Sequence, residues 1–129
     1  MTRLLLDSHA LFWFVDGDSR LSAGACEAIQ DPGNTVYVSA VTAWEITSKF
    51  RLGKWPGAQA LASDLVGIMS DLCFEPLPLS LAHARHAGTL HNPHRDPFDR
   101  MLAAQAEIED IPLVTADPAF GSFNVRILW

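Results

Sequence analysis

Short, continuously apolar runs alternate along this 129-residue chain with longer segments of helical character. Strands of a parallel sheet are covered on both faces and need no polar side, so such alternation is typical of βαβ units. Strands are predicted near residues 3–7, 35–39, 73–77, 112–115 and 124–128. Helices are predicted near residues 8–15, 22–30, 40–52, 58–70, 80–88 and 97–109. The pattern therefore predicts an α/β fold with a mainly parallel sheet of about five strands, in a single domain over residues 1–129.

The composition is that of a globular protein, because 49% of the residues are hydrophobic and 19% are charged. No apolar stretch approaches the ~20 residues needed to span a bilayer, and the N-terminus lacks the basic and apolar regions of a signal peptide. Cys26 and Cys73 lack the spacing of a zinc site or a disulfide framework. Both are expected to be small core residues in a reduced, cytoplasmic compartment.

The net charge of −6 disfavours a nonspecific nucleic-acid binder. It disfavours a metal-dependent nuclease less, since bound divalent cations would offset part of the negative charge. Three cationic residues, Lys49, Arg51 and Lys54, also lie close together in the sequence. Charge therefore does not decide the class of substrate.

Four carboxylates stand where an apolar run ends or a helix begins. Asp7 follows the first predicted strand and Asp117 the fourth, whereas Glu45 and Asp99 lie early in the third and last predicted helices. Because the carboxyl ends of parallel strands share one edge of a sheet, we expect these acids to meet in one pocket. An oxygen-rich cluster of this kind suits hard cations such as Mg²⁺.

Each of these acids also has a purely structural explanation. Asp7 can cap the first helix, Asp99 suits the positive end of a helix, and Asp117 precedes a proline in a turn. Glu45 can pair with Lys49 at i,i+4, which contributes only about 0.2–0.5 kcal/mol on an exposed helix. The residues alone therefore predict an α/β domain and leave open whether the acids bind a metal ion.

The start of the last helix is the best-determined boundary, because Asp96 followed by Pro97 has the signature of an N-cap and a first helical position. The loop that leads into it contains His91 and His94. Both histidines are therefore placed beside the predicted pocket, either as functional groups or as solvated side chains.

Four segments form an ordered set of motifs: LLLDSHAL at residues 4–11, VSAVTAWEI at 38–46, HRDPFDRMLAAQA at 94–106 and LVTAD at 113–117. Together they resemble the PIN domain family and, within it, the VapC-like toxins of bacterial toxin–antitoxin pairs. The third segment is the most distinctive, and the resemblance runs from Leu4 to Trp129. Ser8 departs from the pattern, since Thr is commoner there, but it retains the hydroxyl group.

The resemblance implies a three-layer α/β/α fold around a central parallel sheet. It also implies a Mg²⁺- or Mn²⁺-dependent endoribonuclease that hydrolyses RNA phosphodiester bonds, forms a homodimer and is inhibited by a cognate VapB-like antitoxin. An apolar groove would take the C-terminal segment of the antitoxin, and Trp55 is the aromatic residue expected to be exposed there. The residues assigned to catalysis and to metal binding are Asp7, Glu45, Asp99 and Asp117.

Other residues are expected to support this site. The Ser8 and Thr115 hydroxyls are placed to support Asp7 by hydrogen bonding, and Asp96 either caps its helix or joins the site. The candidate contacts to RNA phosphate are Lys49, Arg95 and Arg100. Organisation of the neighbouring carboxylates is the alternative role of Lys49 and Arg100.

Three other activities stay open at this level. A noncatalytic PIN-like module that binds RNA or protein is disfavoured by the presence of the leading acids. A Mg²⁺-dependent phosphotransfer enzyme is disfavoured because the chain has no Gly-rich phosphate loop. A DNA nuclease is harder to separate from a ribonuclease, since recognition of the 2′-hydroxyl group leaves no sequence signature.

Overall fold

The computed structural model describes residues 2–129. Within this range five strands form one sheet: β1 (Arg3–Leu6), β2 (Thr35–Ser39), β3 (Glu75–Leu77), β4 (Leu113–Val114) and β5 (Ile127–Leu128). The α-helices of the same range are α1 (Ser8–Asp16), α2 (Ala23–Gln30), α3 (Ala40–Arg51), α4 (Gln59–Asp71), α5 (Leu81–Thr89) and α6 (Pro97–Glu109). Each of these elements overlaps a predicted segment of the same type, so the predicted α/β fold is confirmed.

The sheet has the order β3-β2-β1-β4-β5, and every pairing is parallel. The side chains of the central strand β1 point alternately to the two faces of the sheet, and those of Leu4, Leu5 and Leu6 are all buried. Leu4 and Leu6 pack into one core cluster with Ile46 of α3, whereas Leu5 packs into a second cluster with Ala103 of α6. Helices therefore cover both faces of the sheet, which confirms the predicted three-layer arrangement.

The carboxyl ends of the strands share one edge, and two helix caps bring α3 and α6 to it. Ser39, the last residue of β2, caps α3 by accepting a hydrogen bond from the Val41 N–H. Asp96 caps α6 by accepting from the Phe98 and Asp99 N–H groups, as predicted from the Asp-Pro pair. Because α6 leads back to the start of β4, its first turn lies at the edge where the strands end.

Both cysteines were expected in the core, and for Cys73 this prediction is wrong. Cys26 is half-buried and packs against the core. Cys73 is exposed and has a φ of 58° in the turn that follows α4. The turn reverses the chain between α4 and β3 and directs this side chain away from the core.

Trp44 and Trp129 are exposed to solvent, and the prediction that Trp55 is exposed is wrong. Trp55 is half-buried, with its ring stacked on His9 and edge-on to Phe12. Trp44 lies on α3 outside the buried face of that helix and is 56% exposed. Sequence position in a Gly/Pro-bounded loop was therefore a poor guide to exposure.

Two short 3₁₀ helices, Pro56–Ala58 and Pro118–Ser122, are not predicted as separate elements, and each begins at a proline. The second follows Asp117, where the sequence predicts a turn. None of the helices between residues 2 and 129 combines the length and the apolar character that crossing a membrane requires.

Candidate functional site

The four predicted acids line one cavity of about 110 Å³. Asp7 directly follows β1, Glu45 lies on α3 after β2, Asp99 lies in the first turn of α6, and Asp117 follows β4. The other residues that line the cavity are Ser8, His9, Lys49, Asp96 and Leu102. The structure therefore brings together acids from four separate segments at the edge where the strands end.

Asp7 has the smallest exposed fraction of the four acids, 7%. One carboxylate oxygen accepts the Ala10 N–H at 2.7 Å, and the other accepts the Thr115 hydroxyl at 2.5 Å. Burial raises the pKa of Asp7 above its usual value, and these two hydrogen bonds oppose that shift without cancelling it. Thr115 thus supports Asp7, as the sequence predicted.

Glu45 is held at both oxygens. The Ser8 hydroxyl donates to Oε1 at 2.5 Å, and the Lys49 ammonium donates to Oε2 at 2.6 Å. The prediction that Ser8 supports Asp7 is wrong, because the single hydroxyl proton of Ser8 is donated to Glu45 instead. Burial acts to lower the pKa of Lys49, but the Glu45 carboxylate outweighs it and the pKa is raised.

Asp99 is half-buried, and its Oδ2 lies 2.8 Å from Nε2 of His94. Burial raises the pKa of Asp99; the Asp96 and Glu45 carboxylates add to this shift, and His94 opposes it. Sequence reasoning gave His94 no defined partner. Its place in the loop before α6, five residues from Asp99, was the available signal.

Asp117 differs from the other acids because it is exposed. Its side chain accepts the Ala119 N–H at 2.9 Å and so caps the second 3₁₀ helix. Its own N–H donates to the Thr115 hydroxyl oxygen at 3.0 Å. Thr115 therefore connects the backbone of Asp117 with the carboxylate of Asp7.

Arg100, a predicted phosphate contact, is fully engaged elsewhere. Its guanidinium directs all five N–H groups to the backbone carbonyl oxygens of Ala87, Leu90, Asn92 and His94. The prediction for Arg100 is therefore wrong, since no N–H group is left for a phosphate.

Arg95, the other arginine predicted to contact phosphate, is exposed. It lines a different cavity together with Pro97 and Met101. Of the three predicted phosphate contacts, Lys49 is the one whose side chain lines the acidic cavity.

The donor set of this cavity has the chemistry of a Mg²⁺ or Mn²⁺ site, since its acids offer carboxylate oxygens. Mg²⁺ keeps several waters and needs only one or two direct carboxylate bonds. Among residues 2–129 no three Asp, Glu, His or Cys side chains converge on one ion position as they stand. Asp7, Glu45 and Asp99 are instead each turned toward a protein partner, so direct binding of one ion by all three needs changes of side-chain rotamer.

Thr115→Val is expected to raise the pKa of Asp7 further. The hydroxyl donates to the ionised carboxylate, and a hydrogen bond to a charged group contributes about 1.5–3 kcal/mol. Titration of the Asp7 carboxyl carbon by NMR, in metal-free protein, measures the shift. Thr47→Val is the matched control, because the Thr47 hydroxyl bonds to the carbonyl of Ala43 on the exposed side of α3. An unchanged titration of Asp7 in Thr115→Val would contradict this account.

The sequence matches the family model described as the PIN domain over residues 4–124. The chain belongs to the PIN domain family. A stretch of 58 residues is 38% identical to Ribonuclease VapC16 of Mycobacterium tuberculosis and covers 45% of this chain and 41% of that relative. The match therefore spans less than half the length of this curated relative.

Solved structures support the PIN fold at low sequence identity. The chain is similar to VapBC2 from Rickettsia felis, crystallised with a DNA fragment from its promoter, with a TM-score of 0.71, 15% identity and coverage of 98% of this chain and 97% of that one. It is also similar to a toxin–antitoxin complex from Klebsiella pneumoniae, with a TM-score of 0.60, 18% identity and coverage of 89% and 87%. At these identities the likeness establishes the fold.

Proposed function

We propose that this PIN domain is a metal-dependent endoribonuclease, the toxin of a toxin–antitoxin pair. It acts in the cytoplasm as a homodimer and is inhibited by a cognate VapB-like antitoxin. The observation that carries the proposal is the convergence of Asp7, Glu45, Asp99 and Asp117 on one cavity. The relative named a ribonuclease and the solved toxin–antitoxin complex support RNA as the substrate and an antitoxin as the partner.

Asp7, Glu45 and Asp99 would hold a Mg²⁺ or Mn²⁺ ion most directly, and Asp117 would contribute through water. When bound, the ion lowers the pKa of a coordinated water and offsets charge on the phosphate. The chain's own contribution is to bring these carboxylates together at one edge of the sheet. Thr115 orients Asp7, as His94 orients Asp99.

Lys49 has two roles in this mechanism. Together with Ser8 it orients Glu45, and it supplies a positive charge among the carboxylates that line the cavity. Its ammonium has three N–H groups and directs one to Glu45, so two are free to bind a phosphate oxygen of the RNA. Arg95, which is exposed and immediately precedes Asp96 of the cavity, provides a second phosphate contact.

The test is cleavage of transfer RNA, ribosomal RNA fragments and single-stranded DNA by antitoxin-free protein in Mg²⁺, Mn²⁺ or EDTA. We expect cuts in RNA alone that need the metal ion. Asp99→Asn is expected to slow them about 10²-fold or more, because a bound cation contributes several kcal/mol to transition-state stabilisation. Asp110→Asn is the matched control, since the Asp110 side chain is exposed and pairs with Arg126 away from the cavity.

Two outcomes would contradict the proposal in different ways. Intact RNA together with metal binding that depends on Asp99 would indicate a phosphotransfer enzyme that acts on small molecules. Intact RNA without metal binding would indicate a noncatalytic binding module. Equal cleavage of DNA and RNA would support a nuclease and contradict its specificity for RNA.

A further inference from the structure

Trp44 and Phe98 form an aromatic pair beside the acidic cavity. Their ring centroids are 4.9 Å apart and their planes make an angle of 69°, an edge-to-face contact. Trp44 immediately precedes Glu45, and Phe98 immediately precedes Asp99. Each member of the pair is therefore the sequence neighbour of an acid that lines the cavity.

Lys49 connects the aromatic pair with the cavity. Its Nζ lies 5.9 Å from the centroid of the Phe98 ring and 2.6 Å from Oε2 of Glu45. A stacking surface, a cation and a cluster of acids thus follow one another along a continuous set of contacts.

Trp44 is a large aromatic residue that lies mostly outside the core. The buried face of α3 consists of Val41, Thr42, Glu45 and Ile46, and Trp44 lies outside it. It leaves 56% of its surface accessible, with the half-buried Phe98 supporting one side. A large aromatic ring in this position contributes little to the core and is available to a ligand.

We propose that Trp44, supported by Phe98, stacks on an unpaired nucleobase next to the phosphate that is cut. This inference rests on the proposed ribonuclease function and defines its substrate as single-stranded RNA, because a base inside a helix does not offer its face. The combination of an aromatic surface with a neighbouring cation is the arrangement used by single-strand binding sites.

The charge of the chain favours stacking as the main source of affinity. The net charge is −6, and part of the charge of Lys49 is offset by its ion pair with Glu45. Stacking of a base on an aromatic ring does not depend on that charge and contributes about 1–3 kcal/mol per base. Every base has a π-face, so we expect Trp44 to select unpaired nucleotides rather than one particular base.

The test pairs a change in the protein with a change in the RNA. A short synthetic RNA that spans a cleaved site is prepared with each nucleotide in turn replaced by an abasic residue. Binding is measured in EDTA to Asp99→Asn protein, in which cleavage is suppressed, with Trp44 intact or changed to Leu or Phe. With Trp44 intact, one abasic position is expected to weaken binding about 5- to 150-fold.

In Trp44→Leu that loss is expected to disappear, because the base no longer has a stacking partner. Trp44→Phe retains an aromatic ring, so the abasic position is expected to weaken binding to this variant almost as much as it does with Trp44. Leu81→Ala is the control, since Leu81 is 89% exposed on α5 and does not line the acidic cavity. Thermal unfolding of each variant checks that the fold is intact.

If the abasic position weakens binding equally in protein with Trp44 and in Trp44→Leu, the inference is overturned and the proposed ribonuclease function is unaffected. Weaker binding of the antitoxin, with unchanged binding of every RNA, would also overturn it and assign Trp44 to the protein partner. If wild-type protein cuts no RNA and the Asp99→Asn protein binds none, the proposed function itself fails.

Discussion

Asp7→Asn is expected to slow RNA cleavage strongly and at the same time to raise the free energy of unfolding of the metal-free protein at pH 7. Cleavage should fall about 10²–10⁴-fold, because the change removes a carboxylate that holds the cation. Stability should rise by about 0.5–2 kcal/mol, the common range for stabilising substitutions. The neutral amide can still cap α1, since Asn serves as an N-cap as well as Asp does.

The gain in stability depends on pH in a defined direction. Burial raises the pKa of Asp7 in the folded protein above its ordinary value of 3.8, so the native state holds the proton to higher pH than the unfolded chain. Ionised Asp7 therefore destabilises the fold at neutral pH. This cost is lost as the pH falls through the raised pKa toward 3.8. The difference between Asp7→Asn and wild type should shrink over the same window.

Chemical unfolding in EDTA at several pH values measures this effect, and cleavage assays on the same preparations measure the activity. Added Mg²⁺ should stabilise wild type and have little effect on Asp7→Asn, because a ligand stabilises only the state that binds it. Asp110→Asn should change neither quantity, since the Asp110 side chain is exposed. A loss of stability in Asp7→Asn at neutral pH would mean that the carboxylate is needed for the fold itself.

The cluster of acids followed from sequence because it depends on topology alone. Asp7 and Asp117 each follow a strand that pairs in parallel, and β1 and β4 are neighbours in the sheet. The caps of α3 and α6 were local signals, so the second turn of α3, which carries Glu45, and the first turn of α6, which carries Asp99, could also be placed. Apolar runs and capping residues thus determine which backbone segments meet.

The contacts within the cluster did not follow from sequence, because they join residues far apart in the chain. The Ser8 hydroxyl bonds to a residue 37 positions away, and the Thr115 hydroxyl to one 108 positions away. Ser8 has one hydroxyl proton to donate, and the carboxylate that accepts it depends on the folded positions of residues distant in sequence. Exposure of Trp44 rather than Trp55 is likewise set by the face that α3 turns toward the sheet.

Arg100 illustrates the same limit, since its sequence position beside Asp99 suggests a role in the site. In the fold its guanidinium joins the end of α5 to the loop that carries His94. That loop is also tied to the second 3₁₀ helix, where the Asn92 side chain donates to the Ser122 carbonyl. Arg100 therefore acts on Asp99 indirectly, by holding His94 in its position.

Arg100→Met is expected to destabilise the protein by about 2–4 kcal/mol, because several carbonyl groups lose charged hydrogen-bond donors at once. Arg100→Lys should lose most of the same free energy, since one ammonium cannot reproduce a planar group that spans four carbonyls. Arg126→Met is the control: Arg126 is exposed and bonds only to Asp110, so its loss should cost within about 0.5 kcal/mol.

The measurement that separates geometry from charge combines unfolding curves with hydrogen exchange of the amides in residues 87–94. If the shape of the guanidinium is what matters, both Arg100 variants should speed exchange in this loop and weaken the contact between His94 and Asp99. Full retention of stability and of slow exchange by Arg100→Lys would mean that positive charge alone holds the loop. The interaction between residue 100 and the loop would then be mainly electrostatic, and we would expect added salt to speed hydrogen exchange in the loop.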